Sequence, residues 1–456
     1  MKFIALAASA FIAAGAAEAA DLDAARAMYA RLVAFDSSTV SKATPALAKF
    51  LKGELVTAGF PASDIEIGEA GASVYFIARW RADAPKAKPV ALLAHMDVVP
   101  ADPKDWDKPP FELTEQDGVL YGRGTVDNKL GVLALTRAFI ELKAEGFTPD
   151  RDLILAFSGD EETEMLTTRA LVEKLKGEIA YAVNSDAGGG YVSKEGRAAF
   201  FVQAAEKTYA TFLVTATNSG GHSSAPRADN AIYDLASALK KVETLKFPVR
   251  WNDVSLANFR ATAAIEKGEV RDALLRFVKM PGDKKAVKRL EKEDWINRDL
   301  RTTCVATMLN AGHAENALPQ RATATVNCRI FPGETAAETR AALERAVGND
   351  AIAIALEGDA LESPVSRTPD EVSAALAKTL AQLKPGAVAT PYQEAGGTDG
   401  LHFRRAGITT VGIGPQFSAE GVEYNYHGRN ERIPVAEFEE AMKFYPVFLR
   451  ALAGGV

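Results

Sequence analysis

The chain has 456 residues, 47% of them apolar and 25% charged, the composition of a globular protein with material for more than one core. Its formal net charge of −7, with no Lys/Arg cluster breaking the acidic balance, argues against nucleic acid as a partner. Only two cysteines are present, Cys304 and Cys328, so any metal has to be held by histidine and carboxylate rather than by thiolates.

Residues 1–20 carry one lysine, an Ala-rich apolar run and a small-residue site at Ala17-Glu18-Ala19. That pattern predicts a secretory signal peptide, a mature chain starting near Ala20 or Asp21, and export to the bacterial periplasm. No later segment is long and apolar enough to span a bilayer. Residues 22–60 read as helical, and Ser73–Arg81 alternates as a strand. Two short apolar runs, Val90–Ala94 and Leu153–Phe157, read as buried strands. Each ends in groups able to bind metal or move protons: His95 and Asp97 after the first, Asp160, Glu161 and Glu162 after the second. Between them Asp127 opens a stretch of helical periodicity through Leu130, Leu133, Ala134 and Ala138. Leu171–Leu175 continues a helix, and Tyr181–Val183 is a third buried strand, ending in Asn184-Ser185-Asp186.

The pattern changes near residue 205. Thr208–Thr217 alternates as a half-buried strand, and Ala231–Val242 is helical. Residues 247–300 are charge-rich and predict a helical, solvated insertion. Strands at Thr302–Leu309 and Thr323–Ile330 follow, then a helix at Thr335–Ala346 and a strand at Ala351–Leu356. Four strands and two helices in this order predict an α+β sandwich, residues 206–359, inserted into an α/β domain made of residues 21–205 and 360–456. In that second stretch the first domain resumes with a helix at Glu371–Leu383, the loop YQEAGGTDG, a strand at Thr409–Ile413 and a closing helix from Val435. Cys304 and Cys328 fall in facing strand-like runs, which leaves open either a bridge or two buried thiols.

Ligands in open α/β sheets bind beyond the carboxyl ends of the strands. Three strand ends here deliver imidazole and carboxylates to one rim, which is how a protein builds a metal site. Taken singly, each group has an ordinary reading: His95 as a hydrogen-bonded core residue, Asp127 as a helix cap, Glu161-Glu162 as a solvated acidic pair. The threefold repetition weighs against those readings. Among the remaining histidines, His427 lies after a late strand at a plausible rim position, whereas His402 and His313 read as packing or surface residues. No G-x-S-x-G elbow, phosphate loop or dinucleotide fingerprint competes.

HMDVVP, GRGTVDNKLG, DEE, NSDAGG, GGHSSAPRADNA, NALP and the late YHG together resemble the M20 family of co-catalytic zinc metallopeptidases. The spacing is most similar to its carboxypeptidase S and N-acyl amino-acid hydrolase branch, with Trp106 and PPF before GVLYGRG adding to the match. The resemblance implies a mixed sheet flanked by helices, with the inserted domain acting as a lid and homodimerisation module. It implies two zinc ions, cobalt and manganese suiting the same ligands. His95 and Asp186 would hold one, Glu162 and His427 the other, with Asp127 bridging both. Glu161 would be the general base and Asp97 would orient His95. The peptide after the bridging aspartate, Asp127–Asn128, is implied to be cis. His222 is similar to the lid histidine that polarises the scissile carbonyl. Asn316, Arg329, Gly396, Gly397 and Thr398 resemble the groups that hold a substrate carboxylate. The implied substrates are short peptides, as for a dipeptidase or carboxypeptidase, with N-acyl amino acids as the alternative. Two departures stand out: Asp-Glu-Glu is followed by Thr163-Glu164-Met165-Leu166 instead of a glycine-rich turn, and residues 247–300 enlarge the lid domain beyond its minimal form.

Overall fold

The computed structural model describes residues 21–454; the predicted signal peptide lies outside them. The chain divides into two compact units. The first comprises the chain up to Gln203, Ser366–Thr390 and the chain from Thr398 onward; the second comprises Ala204–Val365 and Pro391–Gly397.

At the centre of the first unit, four neighbouring strands run parallel in the order Leu153–Ser158, Val90–His95, Tyr181–Asn184 and Thr410–Gly412. They belong to a mixed sheet, because Ser73–Trp80 joins the Leu153 strand antiparallel and Ile65–Ala70 pairs antiparallel with Ser73–Trp80. The Val90–His95 strand is buried at all six positions, as a strand covered on both faces must be, so its sequence runs apolar without alternation. Its side chains still alternate in space. Leu92 and Ala94 enter a core with Leu133, Phe139 and Phe448, whereas Ala91 and Leu93 enter another with Leu171, Leu175 and Phe403. Helices Lys129–Ala144 and Val435–Ala453 supply much of the first core, and Leu166–Leu175 much of the second.

Register fixes what stands at the rim. His95 is opposite Ser158, and Leu93 is opposite Asn184. The residues just beyond those strand ends, Asp97, Glu161, Glu162 and Asp186, therefore leave the sheet side by side.

In the second unit, an antiparallel sheet runs in the order Thr303–Ala311, Arg321–Ile330, Thr208–Thr217, Ile352–Glu357. Helices Ala231–Thr244 and Ala336–Val347 bury Leu235, Ala238, Val242, Leu343 and Val347 against Phe212, Val214, Ala324 and Val326. The insertion forms four helices, Asp253–Ile265, Gly268–Lys279, Lys284–Leu290 and Asp294–Leu300. It is less solvated than its charge predicts, because Phe259, Leu274, Phe277, Leu290, Ile296 and Leu300 enclose a core of their own. The charges of DKKAVKRLEKEDW occupy the outward faces of short amphipathic helices.

Cys304 and Cys328 are register partners on adjacent strands and form a disulfide. A cross-link closing a loop of this length stabilises by about 2–4 kcal/mol, chiefly by restricting the unfolded chain. Replacing both cysteines by alanine is expected to lower the urea midpoint of the second unit accordingly, followed by circular dichroism. An unchanged midpoint would show that the bond contributes nothing to stability.

Candidate metal centre

His95 is the last residue of its strand and is fully buried. Its Nδ1 is 3.0 Å from the Asp97 carbonyl oxygen. A carbonyl only accepts, so that contact places a proton on Nδ1 and points Nε2 toward the rim. There Nε2 meets Asp127 Oδ1 at 2.9 Å and Asp186 Oδ1 at 3.5 Å. The other oxygen of the same aspartate, Asp127 Oδ2, lies 3.0 Å from His427 Nε2. His427 Nε2 is also 3.0 Å from Glu162 Oε1. One carboxylate thus stands between two nitrogen–oxygen pairs, one oxygen to each.

The local sequence explains how Asp127 comes to face inward. The Lys129–Ala144 helix takes Asn128 as its N-cap residue, with no side-chain cap bond, so Asp127 lies one position outside the helix and its carboxylate is not used for capping. The Asp127–Asn128 peptide is cis. The Asp97 carboxylate lies 3.5 Å from His95 Nδ1 and also serves the neighbouring segment. It accepts from the Glu161 and Glu162 backbone amides at 3.1 and 3.0 Å, fixing both glutamates beside His95.

Ligand atoms of His95, Glu161 and Asp186 lie within 4.8 Å of one another, and so do those of His95, Asp127 and Glu162. Electrostatics match the geometry. Burial disfavours a charged His95, but the Asp186 and Asp127 carboxylates outweigh it and push its pKa well above the ordinary value. His427 is pushed up to about 10 by hydrogen bonds to Asp127 and Glu162. Burial raises Asp186 to about 7 and lifts Glu161 well above the usual carboxylate range. So many carboxylates turned toward the same few ångströms need positive charge among them. Imidazole nitrogens with monodentate carboxylates are the donor set of a first-row divalent ion, and the residues fit such a group.

Comparison with known proteins agrees. The sequence profile described as Peptidase family M20/M25/M40 matches residues 91–451. The chain belongs to that family. This M20 chain is 29% identical over 376 residues to N-fatty-acyl-amino acid synthase/hydrolase PM20D1 of Bos taurus, covering 80% of the chain and 74% of the relative. It is 26% identical over 394 residues to the probable carboxypeptidase S-like 2 of Dictyostelium discoideum, covering 82% and 73%. In fold it is similar to an M20 family metallo-carboxypeptidase of Sulfolobus solfataricus, with TM-score 0.70 and 20% identity over 94% of this chain and 98% of that one. Human carnosine dipeptidase 1 gives TM-score 0.73 and 19% identity over 95% and 97%.

The remaining residues singled out in the sequence of this M20 chain lie mostly in the second unit. His222 is exposed on the two-residue strand Gly221–His222, opposite Ala317. Its Nδ1 accepts from the Ser224 amide at 3.2 Å, which leaves the proton on Nε2. Next to it, Asn316 accepts the Ser223 amide through its backbone carbonyl, and its side chain is exposed. Arg329 stacks 4.7 Å over the Tyr209 ring and reaches Ala395 O at 3.5 Å, beside Gly396. The Gly396 amide is already engaged, donating to Glu394 Oε1 at 3.3 Å. Thr398 is in the first unit, where its hydroxyl accepts from the Gly400 amide at 3.1 Å.

Two carboxylates have roles that sequence reasoning did not assign. Asp160, read as a rim donor, accepts the Leu166 and Thr167 amides at 2.7 and 3.0 Å and so caps the following helix. Just before it, where the glycine-rich turn is absent, Met165 itself stands in the left-handed region at φ 52°, a conformation glycine usually supplies. Asp399, buried in the GGTDG run, accepts from Ser158 Oγ at 2.6 Å and from the Thr168 hydroxyl, bracing the strand end that leads to Glu161. A polar residue directly after Gly-Gly-Thr was the only available signal.

Asp127→Ala is expected to keep the far-UV circular dichroism spectrum and to lower the content of tightly held divalent metal, measured by elemental analysis after dialysis. Wild-type metal content in the folded variant would remove Asp127 from the ligand set.

Proposed function

We propose that this M20-family hydrolase cleaves the amide bond joining an acyl group to an amino acid that carries a free carboxylate, at a centre holding two zinc ions. The observation that carries this reading is the Asp127 carboxylate, whose oxygens lie 2.9 and 3.0 Å from two different histidines. His95 and Asp186 would hold one ion, Glu162 and His427 the other, and Asp127 both. Cobalt or manganese suits the same donors. Such a pair of ions lowers the pKa of a water and polarises a carbonyl oxygen.

The chain's own groups do the rest. Glu161 accepts a proton from the attacking water as its oxygen bonds to the carbonyl carbon, then returns a proton to the amine nitrogen as the C–N bond breaks. A carboxyl lifted by burial holds that proton more firmly than an exposed one would. His222, with its proton on Nε2, is the candidate donor to the carbonyl oxygen as negative charge develops there. Arg329, preoriented over Tyr209, is the candidate for gripping the substrate carboxylate.

N-acyl amino acids are the favoured substrates, because the M20 relatives named N-fatty-acyl-amino acid synthase/hydrolase are 28–29% identical to most of the chain. Short peptides are the second reading, favoured by the carboxypeptidase S-like relatives at 26% identity. We also propose export to the bacterial periplasm; the residue pattern at 1–20 and the Cys304–Cys328 disulfide support it. A homodimer through the second unit is our further reading. Its support is the edge strand Thr303–Ala311, which exposes Val305, Met308 and Leu309.

The deciding experiment measures hydrolysis of dipeptides, N-acetyl and long-chain N-acyl amino acids before and after chelation. Activity lost with EDTA and restored by zinc is expected, with the N-acyl substrates preferred. Full activity in the metal-free protein would sink the reading. Glu161→Gln should keep both metals and lose nearly all turnover, and substantial residual turnover would count against Glu161 as the base. His222→Ala should lower kcat about 100-fold or more; an unchanged kcat would free it of that role. Sedimentation should give a dimer that Met308→Lys weakens, and a wild-type monomer would refute the dimer.

A further inference from the structure

Asp127 and His427 lie three hundred positions apart in the chain, yet the shared carboxylate needs both in register. The loops that carry them are joined by one buried pair. Glu431, fully buried, receives four donors. Arg123 Nη1 and the Gly124 amide reach Oε2 at 2.6 and 3.1 Å, while the Val126 and Asp127 amides reach Oε1 at 2.9 and 3.2 Å. An ionised carboxylate offers about four acceptor positions, so this one is saturated. Its backbone carbonyl also accepts the Gly122 amide at 3.0 Å.

Arg123 works in the opposite direction. Its Nη2 donates to the carbonyls of His427 and Gly428 at 3.2 and 3.0 Å. His427 has φ 58°, in the left-handed region where a side chain is rarely at ease. Arg123 grips the carbonyl of that residue and of the next. Residues 122–127 are therefore shaped around an anion supplied by the 427–431 loop, and the 427–428 turn is held by a cation supplied by residue 123.

We infer that Glu431 and Arg123 are positioning residues: a cross-brace that sets the separation of Asp127 and His427 and thereby the metal affinity of the centre. This rests on the two-metal reading above. Neither side chain is among the proposed ligands; they act through the ligands' backbone. Groups that orient metal ligands in this way typically change affinity about 10- to 100-fold when removed.

The test is zinc titration of metal-free full-length protein against a chromophoric chelator, with far-UV circular dichroism of each variant. Two equivalents bound by the wild type establish the baseline, and wild-type protein that binds none overturns the two-metal reading itself. Glu431→Gln is nearly isosteric but turns an NH2 group toward donors. It is expected to remain folded and to bind the weaker zinc at least about 10-fold less tightly. Wild-type affinities in folded Glu431→Gln would overturn the brace. If that variant does not fold, Arg123→Lys decides: it keeps the charge facing Glu431 but cannot also reach both carbonyls of the 427–428 turn. Folded and about 10-fold weaker supports the brace; folded with wild-type affinity overturns it. Failure of both variants to fold also overturns it, since the pair would then serve the domain as a whole.

Discussion

A single carboxylate facing two histidines is the constraint on which the centre depends. Asp127 directs Oδ1 to His95 and Oδ2 to His427, and no rotation of the side chain can satisfy one without moving the other. The two histidines come from distant parts of the chain, one at a strand end and one in a late loop. The demand therefore spreads outward. Strand register has to align His95 with Ser158, Asp97 has to hold the Glu161 and Glu162 amides, and the 427–431 loop has to fold back onto residues 122–127. Most of the buried polar residues near the rim can be read as answers to that single geometric requirement.

The sheet makes those answers affordable in conformational terms. Four parallel strands, apolar on both faces, end at the same edge. Backbone there is rigid because the cores on either side are close-packed. His95 at one such end, and Glu161, Glu162 and Asp186 two to four residues beyond others, are placed by that edge, whereas Asp127 and His427 come from farther along the chain. Burial then sharpens the electrostatics, since charges screened from water act on one another more strongly. The shared pair shows it: His427 is pushed up to about 10, and Asp127 is held below the ordinary carboxylate range by the two histidines despite its burial.

Much of this was readable in the sequence, and the limits have physical causes. The Val90, Leu153 and Tyr181 strands announced themselves as apolar runs ending in His, Asp and Glu, because strands buried on both faces cannot be anything else. The helix after Asp127 and the sandwich of the second unit followed from periodicity. Ile65–Ala70 was missed because IEIGEA is half polar, as an edge strand may be. Ala198–Glu206 was missed because its alanines carry little periodic signal. Asp160 was read as a rim donor, when its partners are backbone amides six and seven residues ahead. Glu431 gave no sign at all: its role is defined by N–H groups three hundred positions away, and an amide has no letter in a sequence.

The helical block from Asp253 to Leu300 carries a different consequence. Its interior is filled by its own phenylalanines, leucines and isoleucine, so its stability does not draw on side chains of the antiparallel sheet's core. A block built this way can accumulate substitutions on its outer faces, or exchange one outer face for another, while the sheet's packing stays as it was. The exceptions are few and local: Val254 packs against Ala204 and Ala205, and the Arg298 carbonyl accepts from Lys207.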